Sequence, residues 1–140
     1  MKKKAVILGM GGHSKSIIDT LEANKFSVHG VIDIENKKLK KNFMGYNVLG
    51  HINIIKKLSK NNYNFYIAIG DNKKRKIFFN KVKHHKLNFP TLIHPNTIIS
   101  KRAKIKNGCF VAAGCIINTD VTINEFTIIN TGSILDHEVH

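Results

Sequence analysis

The sequence predicts an α/β chain in two parts, a small parallel-sheet domain followed by the coils of a hexapeptide parallel β-helix. Two observations carry this reading. From residue 99 onward, aliphatic residues recur every six positions, at Ile99, Ile105, Val111, Ile117, Ile123, Ile129 and Leu135. Four positions after each stands a small or β-branched residue, namely Ala103, Cys109, Cys115, Val121, Thr127, Ser133 and Val139. Ahead of this stretch, apolar runs alternate with helical ones and end in glycine turns. Neither the three- and four-residue spacing of a helix nor the alternation of a strand keeps one six-residue phase. A hexapeptide β-helix does. Each hexad forms one flat face of a triangular coil and three make a turn, so residues eighteen apart stack: Ile99, Ile117 and Leu135 on one face, Val111 and Ile129 on another. Such sheets are parallel and apolar inside, whereas the strands of a β-sandwich would be separated by turns at irregular intervals. Both cysteines fall in the small-residue column, which makes them inward-pointing free thiols.

The first part is taken in chain order. Lys4 to Leu8 has the pattern of a buried strand and ends in Gly9-Met10-Gly11-Gly12-His13-Ser14, followed by a helical run from Lys15 to Asn24. Glycines let a ligand approach the backbone closely, and the open N–H groups of a helix N-terminus favour an anionic group such as phosphate. Ser14 is expected as the N-cap. A second strand, Ser27 to Ile32, finishes at Asp33, about twenty residues past the glycines, where nucleotide-binding α/β units place an acid on ribose hydroxyls. The third glycine of the usual dinucleotide fingerprint is replaced by Ser14, which weakens a dinucleotide reading. A glycine turn that serves the fold alone remains the alternative. A Lys- and Asn-rich connection from Glu35 to Asn42 leads to a short segment, Tyr46 to Leu49, and a helix from about His51 to Lys60. The next strand, Asn64 to Ile69, ends at Gly70-Asp71-Asn72 and opens a basic helix, Lys73 to Lys86; a last strand, Thr91 to His94, stops at Pro95. Alternating strands and helices imply a parallel sheet, with ligands bound beyond the carboxyl ends of its strands. Gly11, His13, Asp33, Gly70 and Asn72 all fall there. The expected domains are 1–95 and 96–140.

Composition bounds the rest. With 140 residues of which 42% are hydrophobic, the chain can bury a core. Its net charge of +14 comes almost wholly from lysine and favours anionic partners. No Arg-rich stripe, zinc spacing or aromatic stacking motif accompanies it, so nucleic acid is not the expected partner. No signal peptide is visible and no apolar stretch reaches transmembrane length, so the expectation is a cytoplasmic protein without a membrane partner.

The glycine turn GMGGHS (9–14), the strand ending in Asp33, the segment AIGDNKKR (68–75), the Ile93-His94-Pro95 stop and the hexads IINTGSILDHEV (128–139) occur in this order. Together they resemble the bacterial sugar O- and N-acetyltransferases of the sialic acid and bacillosamine type, a branch of the hexapeptide-repeat acyltransferases. The resemblance covers essentially the whole chain. It implies a Rossmann-like domain that holds a nucleotide-activated sugar and a left-handed β-helix that binds acetyl-CoA, as co-substrate, between the subunits of a homotrimer. By the same resemblance Gly9, Gly11, Gly12, His13, Ser14 and Asp33 line the nucleotide-sugar pocket, with Gly70, Asp71 and Asn72 on its far side. His137 matches the family's general base, Glu138 its acidic neighbour, and Asn130 the amide seven residues earlier. The implied activity is acetyl transfer to an amino or hydroxyl group of a nucleotide-activated sugar or sialic acid in glycan biosynthesis.

That chemistry suits those residue types. The nucleophile that attacks a thioester loses a proton, and an imidazole with a pKa near ~6.5 can accept it at neutral pH. A neighbouring carboxylate fixes the tautomer and stabilises the imidazolium, and the transfer needs neither a metal nor a covalent enzyme intermediate. Without the hexads, Asp136-His137-Glu138 would read as a solvated turn. His13 is open between capping the helix, meeting the sugar and facing solvent. The sequence ends one residue into the hexad after Val139, so the β-helix is expected to be incomplete, with most of the CoA wall absent and little activity. A non-catalytic nucleotide-sugar-binding module is the alternative function. A nicotinamide oxidoreductase would rest on the glycine loop alone.

Overall fold

A computed structural model describes residues 3–35 and 40–140. Of the expected Lys- and Asn-rich connection, residues 36–39 lie outside the described ones. The chain forms two compact units, Met1–Ile18 with Phe26–Phe89 and Asp19–Lys25 with Pro90–His140.

The first unit is a five-stranded sheet in the order β3-β4-β2-β1-β5, made of β1 (Ala5–Leu8), β2 (Val28–Asp33), β3 (Asn42–Phe43), β4 (Tyr46–His51) and β5 (Asn64–Ile67). Strands β4, β2, β1 and β5 run parallel. The continuous apolar run of β1 is buried at all four residues, as expected for a central parallel strand covered on both faces. Strand β3 was not expected from the sequence. It pairs antiparallel with β4 across Met44-Gly45, whose φ values of 49° and 82° are those a two-residue hairpin turn requires. Gly30 has an equally local reason: a Cβ there would lie 2.7 Å from both Leu49 and the Asn47 carbonyl of β4.

Helices α1 (Gly12–Ala23) and α2 (Ile55–Leu58) connect strands of this sheet, and α3 (Asn72–Val82) follows its last strand, β5. Helix α1 starts earlier than expected, and α3 is capped by Asp71, whose side chain accepts from Lys74 N at 2.8 Å. The helix expected over His51 to Lys60 is much shorter. His51 is the last residue of β4, a 3-10 turn covers Ile52–Ile54, and α2 is the single turn Ile55–Leu58. Three β-branched isoleucines within four residues carry low helix propensity, and burial of Ile55 and Leu58 holds the remaining turn in place.

The second unit is a parallel β-helix of two-residue strands. Its three sheets run β12-β9-β6, β13-β10-β7 and β11-β8, from β6 (Leu92–Ile93), β7 (Ile98–Ile99), β8 (Lys104–Ile105), β9 (Phe110–Val111), β10 (Ile116–Ile117), β11 (Thr122–Ile123), β12 (Ile128–Ile129) and β13 (Ile134–Leu135). Every register pairs residues eighteen apart, as Ile99↔Ile117↔Leu135 and Val111↔Ile129 do. The expected strand Thr91 to His94 therefore belongs to this coil, not to the first sheet: Leu92 and Ile93 pair with Phe110 and Val111. The hexad phase had already reached that far, since Ile93 stands six residues before Ile99. Val111, Ile117, Ile123 and Ile129 are buried, together with Cys109, Cys115 and Val121. Both thiols are free; Cys109 Sγ donates to the Asn124 carbonyl at 2.9 Å and Cys115 Sγ to that of Asn130 at 3.1 Å.

The corners of the coil repeat as regularly as its core. Gly108, Gly114, Asp120, Phe126, Gly132 and Glu138, six residues apart, all have positive φ. Three are glycine because that region is strained for other residues. Gly108 has a second reason, since a Cβ there would come within 2.5 Å of the Phe126 ring one turn along. Outside the coil, Ile98, Ile116 and Ile134 stack on one sheet, and Ile98 and Ile134 are 68% and 66% exposed.

Candidate functional site

In the first unit the chain order reverses at β1, with β2 on one side and β5, which follows later, on the other. Crevices of this kind beyond the carboxyl ends of the strands are where open α/β sheets take ligands. A cavity of about 700 Å³ lies there. Gly9, Gly11, Gly12 and His13 line it after β1, Asp33 after β2, and Gly70 and Asp71 after β5. The three strand ends named from the sequence thus meet in one place.

The glycines differ in what they do. Gly9 is held by the fold: its φ is 124°, and a Cβ would sit 3.0 Å from the Ala68 carbonyl. Gly11 and Gly12 have no such constraint, because a Cβ on either meets no protein atom within 4 Å. A side chain on either would meet open space, and both line the cavity at the start of α1, where the helix presents unpaired N–H groups. Ser14 is not the N-cap. The helix begins two residues earlier, and the fully buried Ser14 hydroxyl donates back to the Gly11 carbonyl. This bond holds the turn, and Ser14 does not line the cavity.

His13 is partly buried beside Gly70, and burial, with the Arg75 guanidinium second, pushes it down to about 4. Its ring is therefore neutral at pH 7 and offers a ligand hydrogen bonding without charge. Asp33 is 2% exposed and already engaged: Oδ1 accepts from Glu35 N at 2.9 Å, and Oδ2 lies 3.5 Å from His51 Nδ1. The parallel register sets Asp33 beside His51 across β2 and β4. The sequence pattern gives no sign of this pair, because it puts His51 at the start of a helix, whereas the structure puts it at the end of β4. Asn72 does not line the cavity either; its Oδ1 accepts from Arg75 Nη2 at 2.6 Å. Arg75, which the sequence reading passed over among the lysines of α3, is 7% exposed and donates to the carbonyls of Ile69 at 3.0 Å and Gly70 at 2.9 Å. It fixes the turn between β5 and α3. Lys74, Ile77, Phe78 and Lys81, one stripe of α3, complete the cavity wall.

In the second unit, His137 follows β13 and is 66% exposed, with Nδ1 3.4 Å from Glu138 Oε2. Its backbone N–H donates to Asp136 Oδ1 at 2.8 Å. Glu138 occupies the corner at φ 63°, and its N–H donates to the Thr119 carbonyl at 3.2 Å, so the backbone presents the pair outward. Asn130 is exposed; its carbonyl accepts from Cys115 Sγ and from Ser133 Oγ at 2.7 Å. His137 and Glu138 are brought together. Among the described residues no hydrogen bond joins Asn130 to either of them.

Residues 4–82 match the PglD N-terminal domain family. The chain belongs to that family. Solved structures resemble this member over nearly its whole length. PerB from Caulobacter crescentus, in complex with CoA and GDP-perosamine, is 31% identical with a TM-score of 0.87; the match covers 98% of this chain and 64% of PerB. A histidine-to-asparagine mutant of perosamine N-acetyltransferase from the same organism, also with CoA and GDP-perosamine, is 30% identical over the same shares, again with a TM-score of 0.87. The acetyltransferase domain of PglB from Neisseria gonorrhoeae, in complex with acetyl coenzyme A, is 23% identical with a TM-score of 0.86, covering 99% of this chain and 66% of that one. This last likeness is one of fold. The PglD-family chain thus spans about two thirds of the length of these structures.

Proposed function

We propose that this chain serves in acetyl transfer from acetyl-CoA to the amino group of a nucleotide-activated sugar. The carrying observation is the cavity at three strand ends, lined by Gly11 and Gly12 at the start of α1, in a PglD-family chain similar to structures that hold CoA and GDP-perosamine. In this reading Gly11, Gly12, His13, Gly70 and Asp71 surround the nucleotide-sugar. Asp33 shapes the loop after β2 through the hydrogen bond it accepts from Glu35 N and its 3.5 Å contact with His51.

His137 is the general base. The amine lone pair attacks the thioester carbonyl, the C–S bond breaks, and the proton leaving nitrogen passes to the imidazole while CoA departs as thiolate and is reprotonated. Glu138, 3.4 Å from Nδ1, steadies the ring and the imidazolium it becomes. Asn130 is an acetyl- or acceptor-orienting amide.

The assembly is a homotrimer that acts in the cytoplasm. The outward apolar column of Ile98, Ile116 and Ile134 supports self-association, because a monomer gains nothing from stacking isoleucines in water.

The test is thiol release from acetyl-CoA with nucleotide-linked amino sugars, with the corresponding hydroxyl sugars, and with CMP-sialic acid. Release with the amino sugars alone is the expected result. Release with sialic acid alone would move the acceptor to a hydroxyl. Tight binding of a nucleotide-sugar without any release would support a binding module instead.

A further inference from the structure

The charges of the first unit are sorted by sign. Its acids are Asp33, Glu35 and Asp71, and all three line the cavity beyond the strand ends. Its lysines extend well away from there. Lys56 and Lys57 on α2, Lys60 after it, Lys73 and Lys76 on α3 and Lys83 at its end are all exposed, and none of them lines the cavity. Among the described residues, none of these lysines forms an ion pair with a carboxylate. A helix that is merely solvated carries both signs, as α1 does with Lys15, Asp19 and Glu22. Nor is lysine in excess everywhere in the chain: from Pro90 to His140, Lys101, Arg102, Lys104 and Lys106 stand against Asp120, Glu125, Asp136 and Glu138.

These lysines share one side of the sheet. The β1 to β2 and β4 to β5 crossovers run in opposite directions along it, so right-handed connections put α1 and α2 on opposite sides. The chain after α3 comes back to α2. In the 3-10 turn Lys83–His85, burial, the His84 ring and the Lys56 ammonium, in that order, hold His85 below its usual pKa, which brings Lys56 beside the end of α3. From Lys73 to Lys83, α3 adds about 15 Å of lysine-bearing surface.

Single-stranded nucleic acid is held by a basic groove with aromatic platforms, and guanidinium forks suit phosphate recognition. Among the described residues this face offers neither group: Arg75 turns inward to the Ile69 and Gly70 carbonyls, and the Phe79 ring of α3 packs on Phe89 with centroids 5.8 Å apart. Ammonium groups on flexible stems, spread over helix surfaces, suit a plane of mobile anionic headgroups instead. We infer that the α2–α3 lysine face docks this chain on an anionic lipid surface, through residues that the cavity does not use. The inference is independent of the nucleotide-sugar reading. It revises the expectation of no membrane partner, which rested on the lengths of apolar stretches and took no account of how the charges are sorted.

Co-sedimentation of the whole chain with vesicles of phosphatidylcholine, alone or mixed with phosphatidylglycerol, tests it. At low ionic strength, partition onto the mixed vesicles should be at least ~tenfold stronger than onto the neutral ones, and it should fall to the neutral level near ~1 M salt, where charges are screened within about 3 Å. The triple variants Lys56→Gln/Lys57→Gln/Lys60→Gln and Lys73→Gln/Lys76→Gln/Lys83→Gln should each weaken it at least ~tenfold. Removing the same charge from the coil, with Lys101→Gln/Arg102→Gln/Lys104→Gln, should change it less than about threefold, because those residues lie off the face. All the replaced side chains are exposed, and far-UV circular dichroism checks that the variants fold. Equal partition of the parent onto neutral and mixed vesicles overturns the inference. So does a coil variant that weakens as much as the face variants, which would make net charge the cause. Release of the vesicle-bound chain by an oligonucleotide at matched phosphate concentration would assign the face to nucleic acid and overturn it as well.

Discussion

Replacing Ile117 by aspartate unfolds the coil. Ile117 is 1% exposed at the centre of its column, paired with Ile99 on one side and Leu135 on the other. A carboxylate there has no cation or donor to meet it. Burying an unpaired charge in apolar surroundings, or protonating it to avoid that, costs more than ~4 kcal/mol, against a total of ~5–15 kcal/mol for a domain. Stacked repeats depend on their neighbours, so the loss spreads to the turns above and below. Hydrogen exchange of the backbone amides in 104–129 should become fast throughout, while Ile117→Val, which removes one methyl group, costs only about 0.5–1.5 kcal/mol and keeps them protected. Slow exchange in the aspartate variant would show that Ile117 does not face the coil interior.

The second large effect is on chemistry. His137→Ala should lower acetyl transfer roughly 10²- to 10⁴-fold, the range for losing a positioned general base, with nucleotide-sugar affinity almost unchanged. The split follows from the proposed mechanism, in which the base acts on the transition state and the nucleotide is held by residues of the other unit. Glu138→Gln should have a smaller effect in the same direction, because both side chains are largely exposed and their 3.4 Å pair is weak. Thiol-release kinetics on both variants check this. Unchanged turnover in His137→Ala would remove the residue from the mechanism.

How much of this was readable from the sequence differs between the two units. In the coil each residue's place follows from one period, and the structure repeats it in registers of eighteen and in a positive φ at every sixth residue from Gly108 to Glu138. The same period read backwards places Ile93 in the coil, which strand propensity alone had assigned to the first sheet. In the first unit the glycine turns and Asp33 were legible because each ends an apolar run. Their partners were not. His51 meets Asp33 only through the β2–β4 register, which depends on a strand two residues longer than its apolar pattern shows. Arg75 sits among lysines with the composition of a solvated helix face, and only the fold reveals that it turns inward to two carbonyls. Serine before a helical run signals a cap on average; here the helix starts at Gly12, before Ser14, whose hydroxyl turns back to the Gly11 carbonyl.

The proposed function depends on where the nucleotide-sugar sits. The most direct measurement is a backbone amide chemical-shift map of the protein titrated with a nucleotide-linked amino sugar. It should show the largest changes at Gly11, Gly12, His13, Gly70 and Asp71 and at the α3 residues from Lys74 to Lys81. Changes confined to residues 98–140, or none at saturating ligand, would contradict it.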